Sequence, residues 1–218
     1  MPMNSSPDSS TQVHAILEEL ERLYPSARYD LNFTTPLDLL VAAQLAAQCT
    51  DERVNAVTKT LFAKYRNAED YVKVSQEEFE QDIKAITFFR NKAKNIQAAC
   101  QALLDRHQGQ VPQSMAELIK LPGVARKTAN VIQGSAFGIS EGVIIDTHVG
   151  RLARRFGWSV HEDAVKIEQD LMKLLPESAW LHGAHRIIYH GRAVCPARKP
   201  RCGECTLTQL CPAAFRET

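Results

Sequence analysis

The chain has 218 residues, of which 44% are hydrophobic and 23% charged, enough apolar content for one large packed domain or two small ones. No apolar run approaches the roughly 20 residues of a membrane helix, which excludes a helical span. The opening MPMNSSPDSS is polar and lacks Arg and Lys, which excludes a secretion signal or an ordinary transit peptide, so residues 1–12 are expected to form a disordered tail. Net charge is only +1, yet it is unevenly spread. Between Gly183 and Gly203 lie Arg186, Arg192, Arg198, Lys199 and Arg201 without an acidic residue, while Glu77, Glu78, Glu80 and Asp82 crowd elsewhere. Such a basic stretch is either a docking face for a polyanion or a set of solvated arginines.

Apolar residues recur at spacings of three and four, with no period-two alternation, so the fold class is all-α with eight to ten helices. Ile16, Leu20 and Leu23 line a first helix that Pro25 ends. Thr35 and Pro36 open a second, LDLLVAAQLAAQ, apolar on nearly every side and therefore expected to be buried. Thr50 can cap a third, carrying Val54, Val57 and Leu61. Ser75 with Glu78 and Ser114 with Glu117 fit the capping-box pattern. Between them NKAKNIQAACQALLDRHQG turns Ala93, Ile96, Cys100 and Leu103 inward and meets Gly109 past its end. Further on, Val165, Leu171 and Leu174 lead a helix stopped by Pro176, and Trp180, Ala184 and Ile187 lead another.

Residues 115–138, MAELIKLPGVARKTANVIQGSAFG, place the turn Leu121, Pro122, Gly123, Val124, Ala125 between two amphipathic helices: a helix-hairpin-helix. Free amides at such a turn, with the positive end of the next helix, suit a phosphate oxygen; the bland alternative is an ordinary helical corner. Lys127 falls in the first turn of the second helix, where a cation meets the unfavourable end of the dipole, the direction that favours a nucleophilic amine. Asp146, in VIIDTHVGR, suits an acid–base partner and equally a helix N-cap. His148 is a weaker candidate, since a lone histidine beside an acid is more often structural.

Near the C-terminus Cys195, Cys202, Cys205 and Cys211 follow Cys-x6-Cys-x2-Cys-x5-Cys, with Pro196, Pro200 and Pro212 stiffening the loops. Cys49 and Cys100 stand alone in apolar stretches, so the six cysteines form no obvious disulfide framework and the protein reads as intracellular and reduced. The spacing admits tetrahedral zinc or an iron–sulfur cluster; its single CxxC hook leans towards the cluster.

LPGVARKTAN, VIIDTH, AAQCTD and the cysteine spacing together resemble the endonuclease III family of helix-hairpin-helix base-excision DNA glycosylases, over nearly the whole chain. The resemblance implies two helical lobes holding duplex DNA: a helical barrel over residues 29–140, and a discontinuous lobe of 13–28 with 141–218 carrying a [4Fe-4S] cluster on the four cysteines. It implies a glycosylase/AP lyase that flips an oxidised pyrimidine out of the duplex and cleaves the strand by β-elimination, with Lys127 as nucleophile and Asp146 as the assisting carboxylate. Gln48 matches the residue that fills the gap left by the flipped nucleotide, and Phe88 stands where the family usually has an apolar wedge, often Leu. Arg198, Lys199 and Arg201 would meet phosphates. A monomer in the cytoplasm or nucleoid, acting on damaged or abasic duplex DNA and on no membrane, follows from the same likeness. Two further departures stand out. Ala125 replaces a common second glycine and would be strained if that position needs positive φ, and the loop FGISEGVII is one residue longer than usual. Adenine-mismatch glycosylases share the likeness but normally lack a lysine at this place. A non-enzymatic zinc-containing DNA-binding module is the more distant alternative.

Overall fold

The computed structural model describes residues 9–216, and every regular element among them is helical. The chain divides into two compact units, Tyr29–Glu141 and a discontinuous unit formed by the segments on either side. The first helix, α1, spans Ser9–Leu23 and belongs to the discontinuous unit. It starts inside the stretch expected to be a tail. The Gln12 amide explains the early start, because its Nε2 donates to the carbonyls of Leu210 at 2.7 Å and Phe156 at 3.3 Å and ties the opening turn to the rest of that unit. Residues 1–8 lie outside the described residues.

Within the 29–141 unit the helices are α2 (Pro36–Leu45), α3 (Asp51–Lys64), α4 (Ala68–Lys73), α5 (Gln76–Asp82), α6 (Phe89–His107), α7 (Met115–Leu118) and α8 (Arg126–Ile132). Pro36 opens α2, and Thr35 and Asp38 exchange the two bonds of a full capping box. All of α2 from Leu39 to Leu45 is buried, as its all-round apolar sequence predicts. Ser75 and Ser114 each accept the amide three residues on, so the predicted helix starts stand. In α6 Ala93, Ile96, Cys100 and Leu103 face inward. Burial pushes the Cys100 thiol up to about 12, so this cysteine is inert core. Tyr65, Tyr71 and Phe79 form an aromatic cluster with centroids 4.9–5.6 Å apart. Beside it Lys64 bonds Asp82 at 2.7 Å and Glu78 at 2.8 Å, which gives part of the acidic stretch a structural partner.

The discontinuous unit adds α9 (Thr147–Arg155), α10 (Ala164–Leu174) and α11 (Glu177–Ala193), with α1 and α9 both packed on α11. A Cβ at Gly183 of α11 would meet Leu17 of α1 at 3.4 Å, an ordinary packing distance, so α1 and α11 lie close at this point. Trp180, Ala184 and Ile187 are buried as expected. In α10 Leu171 is buried as expected, joined by Ile167 and Glu168, whereas Val165 is 48% exposed. The Asp163 cap explains this: it sets the start of α10 and hence which residues face in. Eleven α-helices are described where the sequence suggests eight to ten; the one without a sequence signal is α4, whose six residues are too few to display a period.

Candidate functional site

In the 29–141 unit the hairpin turn lies between α7 and α8, with Leu121 and Val124 buried beneath it and Gly123 and Ala125 exposed. Gly123 adopts φ +75°, a region favouring glycine. It is also pressed inward: a Cβ there would lie 2.5 Å from Gln44 Oε1 and 3.0 Å from Asn95 Cβ. The turn is thus seated on the last turn of α2 and the first half of α6. Gln44 is 6% exposed, and neither amide atom bonds a protein group among the described residues. Ala125 sits at φ −87°, so the expected strain is absent; only the turn's first glycine needs its freedom.

As N-cap of α8, Ala125 offers no side-chain oxygen, and the opening amides of that helix lack the usual cap. Lys127 is the second residue of α8 and is exposed. Beyond Ile132 the chain widens into a π-helical turn, Gln133–Phe137, closed by Gly138 at φ +67°. Buried Gln133 donates to Gln113 O at 2.8 Å and Glu141 Oε1 at 2.6 Å, which fastens the extended loop that follows.

Gln48 and Phe88 occupy the same unit, and both have left-handed backbones, at φ 54° and 58°. Gln48 follows the end of α2, while Phe88 is the N-cap of α6 and is 60% exposed. A non-glycine residue in this region costs of order 1–3 kcal/mol, so both positions are held there by their surroundings.

Asp146 caps α9 in the discontinuous unit. Its Oδ1 accepts the amides of His148 and Val149, both at 2.8 Å, leaving Oδ2 outside the cap. His148 Nδ1 lies 3.1 Å from Arg151 Nη2, and burial pushes the histidine pKa down. The same Arg151 nitrogen donates to Gly191 O at 3.1 Å and Cys195 O at 2.9 Å.

All four C-terminal cysteines are free thiols lining one cavity, together with His190, Arg155, Pro200, Arg201 and Thr208. Arg155 Nη1 donates to Cys195 Sγ at 3.0 Å and Pro196 O at 2.8 Å, and its Nη2 to Ala197 O at 3.2 Å. Burial and the neighbouring cysteine charges push the thiols of Cys205 and Cys211 up. A cationic metal group would offset both costs, so the donor set fits one. Among the described residues no three metal-binding side chains converge as a single ion demands. His190 lies 3.5 Å from Cys205 Sγ and 3.2 Å from Tyr24 OH, and burial lowers its pKa to about 4, keeping it neutral near pH 7. On the loop Arg198 and Lys199 are exposed, whereas Arg201 bonds Ala193 O and lies 3.4 Å from Glu204. Sequence reasoning missed Gln44, Arg151 and Arg155; the only signals were a polar letter inside an apolar run and a basic pair in RLARRF.

Residues 41–177 match the HhH-GPD superfamily of base excision DNA repair proteins. Over 199 residues the chain is 55% identical to endonuclease III of Synechocystis, covering 91% of each. Over 201 residues it is 46% identical to endonuclease III of Bacillus subtilis, covering 92% of this chain and 91% of the relative. The chain belongs to the endonuclease III family. It is a base-excision DNA glycosylase and AP lyase of that family. Among solved structures it is similar to a trapped endonuclease III–DNA covalent intermediate, with a TM-score of 0.90 at 44% identity, covering 95% of this chain and 97% of the other. A thermostable thymine-DNA glycosylase, at a TM-score of 0.86 and 21% identity, shares the fold.

The seating of the hairpin makes Gly123 a test of the endonuclease III turn in this chain. Gly123→Ala should destabilise the protein by about 1–3 kcal/mol and weaken duplex binding, as read by urea unfolding and DNA titration. Unchanged stability would show that the turn can move off Gln44.

Proposed function

We propose that this enzyme excises oxidised pyrimidines from duplex DNA, and cleaves at abasic sites, through an amine nucleophile at Lys127. One observation carries the reading: Lys127 is exposed at the second position of α8, directly behind the hairpin turn. Its support from outside the chain is a 44% identical protein described as a trapped covalent intermediate with DNA.

In this reading the hairpin amides take a backbone phosphate, which positions the strand without reading its sequence. The Lys127 Nζ, as free amine, attacks the sugar C1′; the C1′–N bond to the damaged base breaks, and the base leaves with the bonding pair and a proton. The nitrogen lone pair then opens the sugar ring as the ring oxygen O4′ takes up a proton, leaving an iminium joining Nζ to C1′. Removal of a C2′ proton then expels the 3′ phosphate, breaking the strand, and water releases the lysine. Asp146 is the group that takes protons and balances positive charge developing on the sugar. Its capping geometry suits that role, because the amides of His148 and Val149 hold Oδ1 and leave Oδ2 for the proton. Gln48 fills the gap left by the flipped nucleotide, and Phe88 wedges between bases.

Cys195, Cys202, Cys205 and Cys211 would hold a [4Fe-4S] cluster, a reading supported by their spacing and by their lining one cavity. The cluster supplies rigidity rather than electrons, since base excision is not a redox reaction. Arg155 and the cysteines brace the loop on which Arg198 and Lys199 meet phosphates. We place the enzyme inside the cell, on DNA, as a monomer. Among the described residues no helix is long and apolar enough to cross a membrane.

Three measurements bear on this. Borohydride reduction of the protein with duplex carrying an oxidised pyrimidine should give a covalent adduct that Lys127→Gln abolishes, with excision falling roughly 10³-fold or more; an adduct that survives the substitution removes Lys127 from the mechanism. Replacing Arg198 and Lys199 by Ala should weaken binding to all sequences alike and reduce the slope of log affinity against log salt by about 2; an unchanged slope takes the loop off the phosphates. Metal analysis of natively purified protein should find about four irons per chain, with visible absorption, whereas one zinc in colourless protein would replace the cluster by a zinc knuckle.

A further inference from the structure

Gln48 and Phe88 come from separate elements, yet one side chain joins their supports. Lys92 lies in the first turn of α6, where its amide donates to the carbonyl of Phe88 at 3.2 Å. Its side chain does not reach solvent as a first-turn lysine normally would. It is 7% exposed, and Nζ donates to Leu45 O at 2.8 Å and to Ala47 O at 2.6 Å.

Those two carbonyls belong to the end of α2 and to the residue immediately before Gln48. A helix leaves its last carbonyls without intrahelical donors, and a glycine in the left-handed region is the common remedy. Here α2 ends on Ala46 in a right-handed conformation, and no glycine follows before α3. The ammonium of Lys92 takes the role, set against the negative end of the α2 dipole.

This arrangement is costly. Burial pushes the Lys92 pKa down, opposed by the nearby Cys49 thiol, and Nζ is bonded to two neutral carbonyls. A buried charge bonded only to carbonyls is a poor source of net stability compared with an apolar side chain of the same length. Its distinctive effect is geometric. The rigid first turn of α6 fixes the carbonyl before Gln48, and the same turn begins at Phe88. Two left-handed residues on different elements thereby share one frame.

We propose that Lys92 is a positioning residue that locks Gln48 and Phe88 at a fixed separation, so that the two side chains enter the duplex as one unit. The inference rests on the reading of those two residues as DNA-inserting. Lys92 itself touches neither the base nor the sugar. Its loss should harm steps that need insertion and spare those that do not.

Lys92→Met keeps the reach and removes both donors, and it should be compared with Gln48→Ala and Phe88→Ala as full-length protein. Two rates are needed: single-turnover excision of an oxidised pyrimidine from duplex, and β-elimination at an abasic site in single-stranded DNA, where there is no opposite strand to enter. A third readout is the fluorescence of 2-aminopurine opposite a stable abasic analogue, which rises when insertion unstacks it. For Lys92→Met duplex excision should fall about tenfold or more, single-strand cleavage should change less than about twofold, and at least about half of the fluorescence rise should vanish. Equal loss on both substrates, or a duplex rate and fluorescence like those of the parent, overturns the proposal. If Gln48→Ala and Phe88→Ala show no duplex-selective defect, the insertion reading falls and the proposal with it. If they do and Lys92→Met does not, the proposal alone falls. Should Lys92→Met fail to fold, Lys92→Gln, which keeps one donor, is judged by the same outcomes.

Discussion

The hairpin turn can reach α2 only because residue 123 carries no Cβ, and much of the 29–141 unit is organised around that contact. Helix α2 is apolar on nearly all sides and buried from Leu39 to Leu45, so it cannot shift to accommodate its neighbours. Gln44 from α2 and Asn95 from α6 together form the seat for Gly123. Once the turn is seated, the start of α8 follows, and Lys127 is carried one residue inside that start. The position of Lys127 is thus set by core packing. Its exposure is set by the chain leaving the turn.

A second constraint governs the cysteine loops. Four thiols around one cavity cannot hold a loop alone, because buried thiolates repel each other and resist ionisation. Arg155 answers part of that cost by bonding Cys195 Sγ and by gathering the carbonyls of Pro196 and Ala197. Arg151 gathers the carbonyls of Gly191 and Cys195 from the same helix. Two arginines one turn apart on α9 therefore shape the backbone that leads to Arg198 and Lys199. Asp146 caps the opposite end of that helix, so Asp146 and the cysteine loop share α9 as their support.

The sequence was most informative where one residue type has few alternative uses. Four cysteines at fixed spacing, a lysine behind a Pro-Gly turn, and an apolar run too long to be a surface face all led to features that the structure contains. The helix class was equally legible, since period 3.6 survives burial. What could not be read was register and reach. Leu171 faces inward as its spacing suggests, yet Val165 and Leu174, which look like core letters, do not, because the register set by the Asp163 cap turns Ile167 inward with it. Ala125 looked strained because sequence does not report φ; at −87° it is relaxed. Lys92 was invisible because a lysine letter in a polar first turn gives no sign that its head is buried 45 residues back along the chain.

These cases share a physical pattern. Long polar side chains in this protein serve as internal ties as often as they serve as surface charges, and the ties fall at the ends of helices, where carbonyls and amides lack partners. Lys92 serves the end of α2, Gln133 the turn after α8, Asp146 the start of α9 and Arg155 the loop beyond α11. Helix ends are also where Lys127, Gln48 and Phe88 stand. An enzyme that must push side chains into a stiff duplex needs its outward residues backed by something that does not yield. Satisfying the helix ends with buried donors supplies that backing, because moving a tied residue would leave a buried carbonyl or amide unpaired at about 1–3 kcal/mol each. The same bonds that complete the fold therefore stiffen the residues proposed to meet DNA.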